Sequence, residues 1–248
     1  MRARFLALSR LAWPRGRMTQ GCSPFRREQH VEPKAASPTD ILFDLDDTLY
    51  PRTSGVWQAI GERIDHFMVE RCGISPEHVS SLRAQYLNSF GTTLNGLRLE
   101  YGIDPFEYLR YVHDIPLERY LRPDDRLERM LSLLPQRKTI FSNSDAVHTR
   151  RVLRQLGVES HFGQIVDIVA LDFVNKPDPE AYRTALRLLG SPDPGRCVLV
   201  DDQMRNLIPA KEQGWITVWV GQGSAEATVD LRIDSILDLA RGFPSLEG

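Results

Sequence analysis

Three carboxylates crowd into four positions at Asp44, Asp46 and Asp47, directly behind the apolar run Ile41-Leu42-Phe43. Alternate residues of a strand share a face. Asp44 and Asp46 can therefore point into one small volume just past the strand's carboxyl end, where open α/β sheets put their sites. A solvated turn needs one aspartate, not two facing ones behind a wholly apolar run. Further candidates follow later strand-like runs: Ser142-Asn143, then Lys176 beyond a third run, then Asp201-Asp202 after Val198-Leu199-Val200. Taken singly these are a strand-end turn, a charged loop residue before proline, and a helix N-terminus whose dipole favours acids. Taken together they supply a carboxylate nucleophile, a hydroxyl and amide that can donate to phosphate oxygens, one ammonium and a second acidic pair. That set suits phosphoryl transfer. A phosphate dianion cannot approach Asp44 against so many carboxylates unless a divalent cation and a fixed ammonium offset the repulsion. Mg²⁺ suits oxygen-only ligands of this kind.

The elements that must position these residues are legible from residue 138 onward, where short β-rich runs alternate with helical patterns. This is the signature of a parallel sheet wrapped by helices. Strands are expected over 138–142, 165–169, 197–200 and 216–220. Helices are expected over 145–156 with a stop at Gly157, from Asp178-Pro179 to residue 189, and up to Gln213 before Gly214. About ninety residues separate the Asp44 strand from the next one, far more than an ordinary βα connection holds. The intervening stretch reads as helices. Val56, Ile60, Ile64 and Phe67 recur at helical spacing, Ser75-Pro76 and Asp104-Pro105 are helix starts, and Glu107 completes a capping box with Asp104. Leu127, Leu131 and Leu134 mark a last helix ending at Pro135. The expected fold is α/β, a Rossmann-like parallel sheet with flanking helices and an inserted all-helical cap domain. Its parts are a flexible extension over 1–38, a core over 39–50 and 136–248, and the cap over 51–135. Helical spacing predicts core packing for most of the insert's aromatic residues, Trp57, Phe67, Tyr86, Phe90, Tyr101, Phe106, Tyr108 and Tyr111.

The chain has 248 residues and a formal charge of −2, enough for one core with an inserted lobe. No basic excess points to a nucleic-acid polymer or an anionic membrane as partner, and no apolar run approaches a membrane span. Cys22, Cys72 and Cys197 are far apart, odd in number and without metal spacing, which argues for a reducing compartment. Seven arginines precede the first acid, Glu28. The Arg-rich start can be a mitochondrial-type transit peptide, a disordered extension, or an upstream extension with initiation at Met18. Sparse serine and the lack of a cleavage signal favour the last two. The expected location is cytoplasmic, with mitochondrial as the alternative if the N-terminus is a transit peptide.

The four candidate groups, in this order, resemble the motifs of the haloacid dehalogenase superfamily of phosphatases. D-x-D-x-T stands here as Asp44-Leu45-Asp46-Asp47-Thr48, the second-motif hydroxyl as Ser142, the lysine before a helix as Lys176, and the acidic pair as Asp201-Asp202. The resemblance covers roughly residues 40–222. It implies that Asp44 attacks phosphorus, and that Asp46 protonates the leaving alkoxide and then deprotonates the hydrolytic water. It further implies that Mg²⁺ is held by the Asp44 carboxylate, the Asp46 backbone carbonyl and Asp202, with Asp201 assisting. Ser142 and the Asn143 backbone would hold phosphate oxygens, and Lys176 would bridge Asp44 and the phosphate. The insert would be the family's helical cap, which selects substrate and excludes water.

A closer resemblance, to the pyrimidine 5′-nucleotidase branch, rests on Phe43 to Pro51 together with Gly91-Thr92-Thr93-Leu94-Asn95-Gly96-Leu97, Tyr101, Glu107-Tyr108 and Val112-His113-Asp114. It implies hydrolysis of nucleoside 5′-monophosphates by a monomer or homodimer. Other small phosphorylated metabolites, a sugar phosphate or pyridoxal phosphate, and a phosphomutase reaction are the alternatives. Attack on carbon, the dehalogenase reaction, needs no leaving-group acid, so Asp46 argues against it. In a receiver domain the acidic pair would come first and the phospho-acceptor later, the reverse of the order here. A non-catalytic relative would most easily arise by loss of Asp44 or Asp46, and both are present.

Overall fold

The computed structural model describes residues 37–223 and 228–242. The Arg-rich stretch carrying the transit-peptide and extension readings lies outside the described residues up to residue 36. Six parallel strands form one sheet in the order β3-β2-β1-β4-β5-β6. They are β1 Asp40–Phe43, β2 Arg137–Phe141, β3 Gln164–Val166, β4 Cys197–Asp201, β5 Ile216–Val220 and β6 Leu231–Ile233. Every residue of β1 is buried, as a strand covered on both faces requires. Ile41 and Phe43 join one core cluster, whereas Leu42 joins the other with Phe141, Leu199, Tyr182 and Trp215.

Register sets the site. Phe43 lies opposite Ile140 of β2 and Val200 of β4, so Asp44, Ser142 and Asp201 leave the sheet at nearly one height. The strand order reverses beside β1, and such switch points are where parallel sheets open a crevice at their carboxyl ends.

Core helices α6 Ala146–Leu156, α7 Pro179–Leu188 and α8 Met204–Glu212 follow the expected pattern. Gly157 takes a left-handed conformation as the C-cap of α6, and Asp178 caps α7 by accepting from Glu180 N. The third strand ends at Val166, short of the expected residue 169. Asp167 turns the chain there, its carboxylate accepting from Ala146 N and Ala170 N at 2.8 Å each. Strand β6 has no counterpart among the expected strands, since three residues are too few to show a period.

Between β1 and β2 the chain forms α1 Val56–Glu70, α2 Pro76–Phe90, α3 Thr93–Tyr101 and α4 Pro105–Val112, which pack on one another, and then α5 Asp125–Ser132. Val56, Ile60, Ile64 and Phe67 are all buried. Only half of the expected capping box forms. Asp104 accepts from Phe106 N at 2.9 Å, while Glu107 lies 4.0 Å from Arg71. Helix α5, expected in the inserted lobe, packs instead against the C-terminal turn Ile236–Asp238 and the short helix α9 Leu239–Gly242. Of the lobe's aromatic residues, Phe67, Tyr86 and Tyr108 are buried, but Trp57, Tyr101 and Phe106 are 38%, 44% and 49% exposed. Among the described residues no helix is long and apolar enough to cross a membrane.

Helices α2 and α3 meet where Gly96 faces the ring of Tyr86, which is fully buried, and a Cβ at Gly96 would overlap that ring. Gly96→Ala is therefore expected to destabilise the protein by about 1–3 kcal/mol through overpacking, read from urea or thermal unfolding. An unchanged midpoint would show that the α2–α3 contact is loose.

Candidate active site

Asp44 stands one residue beyond β1, its backbone N–H donating to Val200 O at 2.9 Å. One carboxylate oxygen accepts from Lys176 Nζ at 2.9 Å, the other from the Thr48 hydroxyl at 3.2 Å. The Thr48 oxygen in turn accepts from Asp202 N at 3.1 Å, tying the first acidic turn to the second. Lys176, 1% exposed, also donates to Asp201 at 2.7 Å. Asp201 is fully buried and accepts from Asn206 Nδ2 at 3.0 Å and Gln203 N at 2.8 Å. The ligand atoms of Asp44, Asp201 and Asp202 lie within 4.8 Å of one another. At an effective dielectric of about 20, each such charge pair repels by roughly 3–4 kcal/mol. A single ammonium cannot offset three carboxylates. Burial pushes the Asp44 carboxyl well above its usual range; Lys176 opposes that rise, and Asp201 and Asp202 add to it. Burial and then the Asp201 charge push Asp202 up to about 6.

A divalent cation fits this donor set. The ligands are all oxygens, two of the three carboxylates face the cavity, and the unbalanced charge is negative. Asp44 and Asp202 line that cavity, whereas Asp201 lies behind them, held by Lys176 and Asn206.

Asp46 turns its carboxylate away from that trio. It accepts from Tyr50 OH at 2.5 Å and Ser144 OH at 2.6 Å, and His148 Nε2 lies 3.2 Å away. Burial raises its pKa, but the charge and hydrogen bond of His148, with the bonds from Ser144 and Tyr50, outweigh burial and hold the carboxyl well below its usual range. Asp46 is thus kept ionised, ready to accept a proton. Asp47 corrects an expectation. Alternation carried on from the strand predicts that it turns away from the site, yet Asp47 is among the residues that line the same cavity, its carboxylate 3.9 Å from Arg52. The strand ends at Phe43, and Asp47 sits in the turn beyond it with a left-handed backbone, φ 62°, so strand alternation does not govern it. Burial, opposed by Arg52, pushes Asp47 up to about 6.

Ser142 and Asn143 line the cavity too. The Ser142 oxygen accepts from Ser144 N at 3.0 Å, which leaves its own O–H free to donate. The Asn143 side chain reaches the lysine loop, accepting from Lys176 N at 2.8 Å and donating to Lys176 O at 3.0 Å. Lys176 precedes a cis proline bond and sits behind the carboxylates, not on the cavity wall. Two of its three N–H groups go to Asp44 and Asp201. The wall of the roughly 450 Å³ cavity is completed by Gln203, Arg205 and Asn206 of the core and by residues of the lobe, including Trp57, Arg83, Thr92, Tyr108 and His113. The sequence motifs include Tyr50 only as part of the stretch Phe43 to Pro51, with no role at the site, and do not include Ser144, His148 or Asn206. A usable signal was present for two of them: Tyr50 lies four residues after Asp46, and Ser144 two after Ser142.

A sequence model of the haloacid dehalogenase-like hydrolases matches residues 41–214. The chain is 27% identical over 188 residues to Phosphate metabolism protein 8 of Saccharomyces cerevisiae, covering 70% of this chain and 59% of that protein. It is 32% identical over 123 residues to Beta-phosphoglucomutase of Bacillus subtilis, covering 48% and 54%. The matches thus span less than two thirds of these relatives' own lengths. Among solved structures, a HAD phosphatase from Thermococcus onnurineus superposes with a TM-score of 0.60 at 17% identity, over 85% of this chain and 100% of that one. The L-2-haloacid dehalogenase of Xanthobacter autotrophicus, with chloropropionic acid covalently bound, gives 0.54 at 16% identity over 82% and 97%. At such identities the superpositions establish a shared fold.

Removing the ammonium leaves buried carboxylates without an offsetting charge. Lys176→Met is expected to lower the unfolding free energy by about 3–5 kcal/mol, measured in urea at neutral pH without divalent metal. A loss below about 1 kcal/mol would mean that the carboxylates are already protonated or hydrated.

Proposed function

This chain belongs to the haloacid dehalogenase-like hydrolase family, and from that premise we propose that it is a Mg²⁺-dependent phosphomonoesterase working through an aspartyl phosphate on Asp44. Asp46 carries the reading. Attack on carbon expels a halide that needs no leaving-group acid, whereas phosphomonoester cleavage needs a group that gives and then takes a proton on the same cavity. Asp44 attacks phosphorus, an Asp44–phosphorus bond forms, and the bond to the leaving oxygen breaks. Asp46 gives that oxygen a proton. Its carboxyl is held ionised in the free enzyme, but a phosphate dianion beside it favours the protonated form. In the second step water attacks phosphorus, Asp46 takes the water's proton, and Asp44 is released with inorganic phosphate.

In this reading the Ser142 hydroxyl and the Asn143 backbone N–H would donate to phosphate oxygens, and the third N–H of Lys176 would donate to an oxygen on phosphorylated Asp44, a reading supported by Ser142 and Asn143 lining the cavity. Mg²⁺ would be held by Asp44, Asp202 and the Asp46 carbonyl with Asp201 behind, and would supply neutralisation of charge on the phosphoryl oxygens.

We further propose nucleoside 5′-monophosphates as substrates. The cavity volume falls in the range of small-molecule sites, and Trp57 and Tyr108 bring aromatic surface to its lobe side. A sugar phosphate or a phosphomutase reaction is the second reading, favoured by the similarity to Beta-phosphoglucomutase. Steady-state kcat/KM across UMP, CMP, AMP, GMP, pyridoxal phosphate and sugar phosphates decides between them. At least about a tenfold preference for nucleotides is expected, and equal rates on all would sink the nucleotide reading.

Asp44→Asn is expected to abolish turnover, and EDTA to abolish it reversibly in the wild type. An Asp44→Asn variant with wild-type kcat, or full turnover without divalent metal, would refute the mechanism.

A further inference from the structure

Two histidines that the mechanism does not use meet where the inserted helices touch the core. His113 caps the C-terminus of α4, and His148 lies in the first turn of α6. Their rings stack with centroids 4.2 Å apart and planes at 17°. The residues are 7% and 0% exposed. His113 Nδ1 lies 2.6 Å from Asp145 Oδ2, and the other oxygen of Asp145 accepts from His148 N at 2.9 Å as the α6 cap. Arg151 fastens the same chain segment, donating to His113 O and Ile115 O at 2.6 Å each. From the far side of the stack, His148 Nε2 contacts Asp46.

A buried imidazole that orients another group is ordinarily held by a hydrogen bond at its second nitrogen. His148 Nδ1 has no such partner among the described residues. Its ring is instead packed face to face on that of His113. The terminal torsion of an aspartate is soft, so Asp46 takes its direction from what touches it.

We propose that the His113–His148 stack is a brace through which the inserted helices help aim Asp46, with His148 as a positioning residue and His113 supplying the brace only while the end of α4 is held against α6 by Arg151. This rests on the phosphomonoesterase reading of Asp46. It ties proton transfer to the seated lobe. With the lobe lifted, His148 loses its stacking partner and Asp46 loses the steadying of one of its three contacts, keeping Tyr50 and Ser144, while Asp44 keeps Lys176 and Thr48.

Leaving groups provide the test, because kcat/KM reports the steps through formation of the aspartyl phosphate. A nucleotide's alkoxide needs a proton as it leaves; the p-nitrophenolate of p-nitrophenyl phosphate does not. His148→Phe keeps a ring in the stack and removes the nitrogen facing Asp46. It should lower kcat/KM about 100-fold on the best alkyl monoester and fewer than about 5-fold on p-nitrophenyl phosphate, the scale of one misaimed general acid. The loss should fall on kcat, with KM within about twofold. His148→Gln, which carries an amide N–H to about the position of Nε2, should recover most of the alkyl rate. His113→Ala should reproduce the selective loss at about tenfold, and His113→Phe, which restores a stacking ring, should reverse it.

Equal losses on both substrates, failure of His148→Gln to recover, or an unchanged alkyl-to-aryl ratio in His113→Ala would overturn the brace. If His148→Phe loses its native circular dichroism, the two His113 variants decide alone. A wild-type protein that hydrolyses no phosphomonoester overturns the underlying reading instead, an outcome distinct from any of these.

Discussion

One ammonium set between buried carboxylates is the constraint on which the rest of the site depends. Lys176 is shut off from bulk solvent, and among the described residues Asp44 and Asp201 have no other cation in contact. A buried pair of this kind is stable only if its remaining hydrogen bonds are made, and the chain makes them. Asn143 holds the lysine's backbone at both N and O, and Asn175 donates to the same carbonyl at 2.7 Å. Asn175 then accepts from Asn95 of α3 at 2.5 Å. Gly91, at φ 77°, leaves the space Asn175 occupies. The demands of one charge thus propagate from the centre of the sheet to the inserted helices in a few hydrogen bonds.

The sheet turns scattered residues into one site by acting as a ruler. Parallel pairing of β1 with both β2 and β4 puts residues from three distant parts of the sequence at one height. Side chains of successive residues then take opposite duties. Asp201 points inward to hold Lys176, while Asp202 faces the cavity. The left-handed turn at Asp47 brings in a further carboxylate that regular alternation would have sent away.

What could be read from the sequence was what repeats. The strands leading to Asp44, Ser142 and Asp201 were legible because apolar runs covered on both faces leave little choice of partner layer. Helix α1 was legible because Val56, Ile60, Ile64 and Phe67 mark a face at constant spacing. What could not be read depended on a single contact between distant residues. Helix α5 carries the right period, but period does not say which neighbour will cover it, and the C-terminal turn does. Asp104 and Glu107 have the spacing of a capping box, yet Glu107 lies near Arg71, a residue more than thirty positions away. Trp57, Tyr101 and Phe106 share helical spacing with buried aromatics and are nonetheless exposed.

The same distinction separates the two aspartates of the first motif. Asp44 has local partners fixed by the sheet, and its surroundings follow from strand register and the turn that brings back Thr48. Asp46 is different, because two of its three contacts lie about a hundred residues away on the loop and first turn of α6. One of those, His148, is steadied by a residue of the inserted helices. On the proposed mechanism the attacking carboxylate, Asp44, is held by core residues alone, whereas the surroundings of Asp46, the proposed proton carrier, include a residue of the insert at one remove. If that mechanism holds, an insertion between β1 and β2 can change how Asp46 is aimed while Asp44 stays where the sheet puts it.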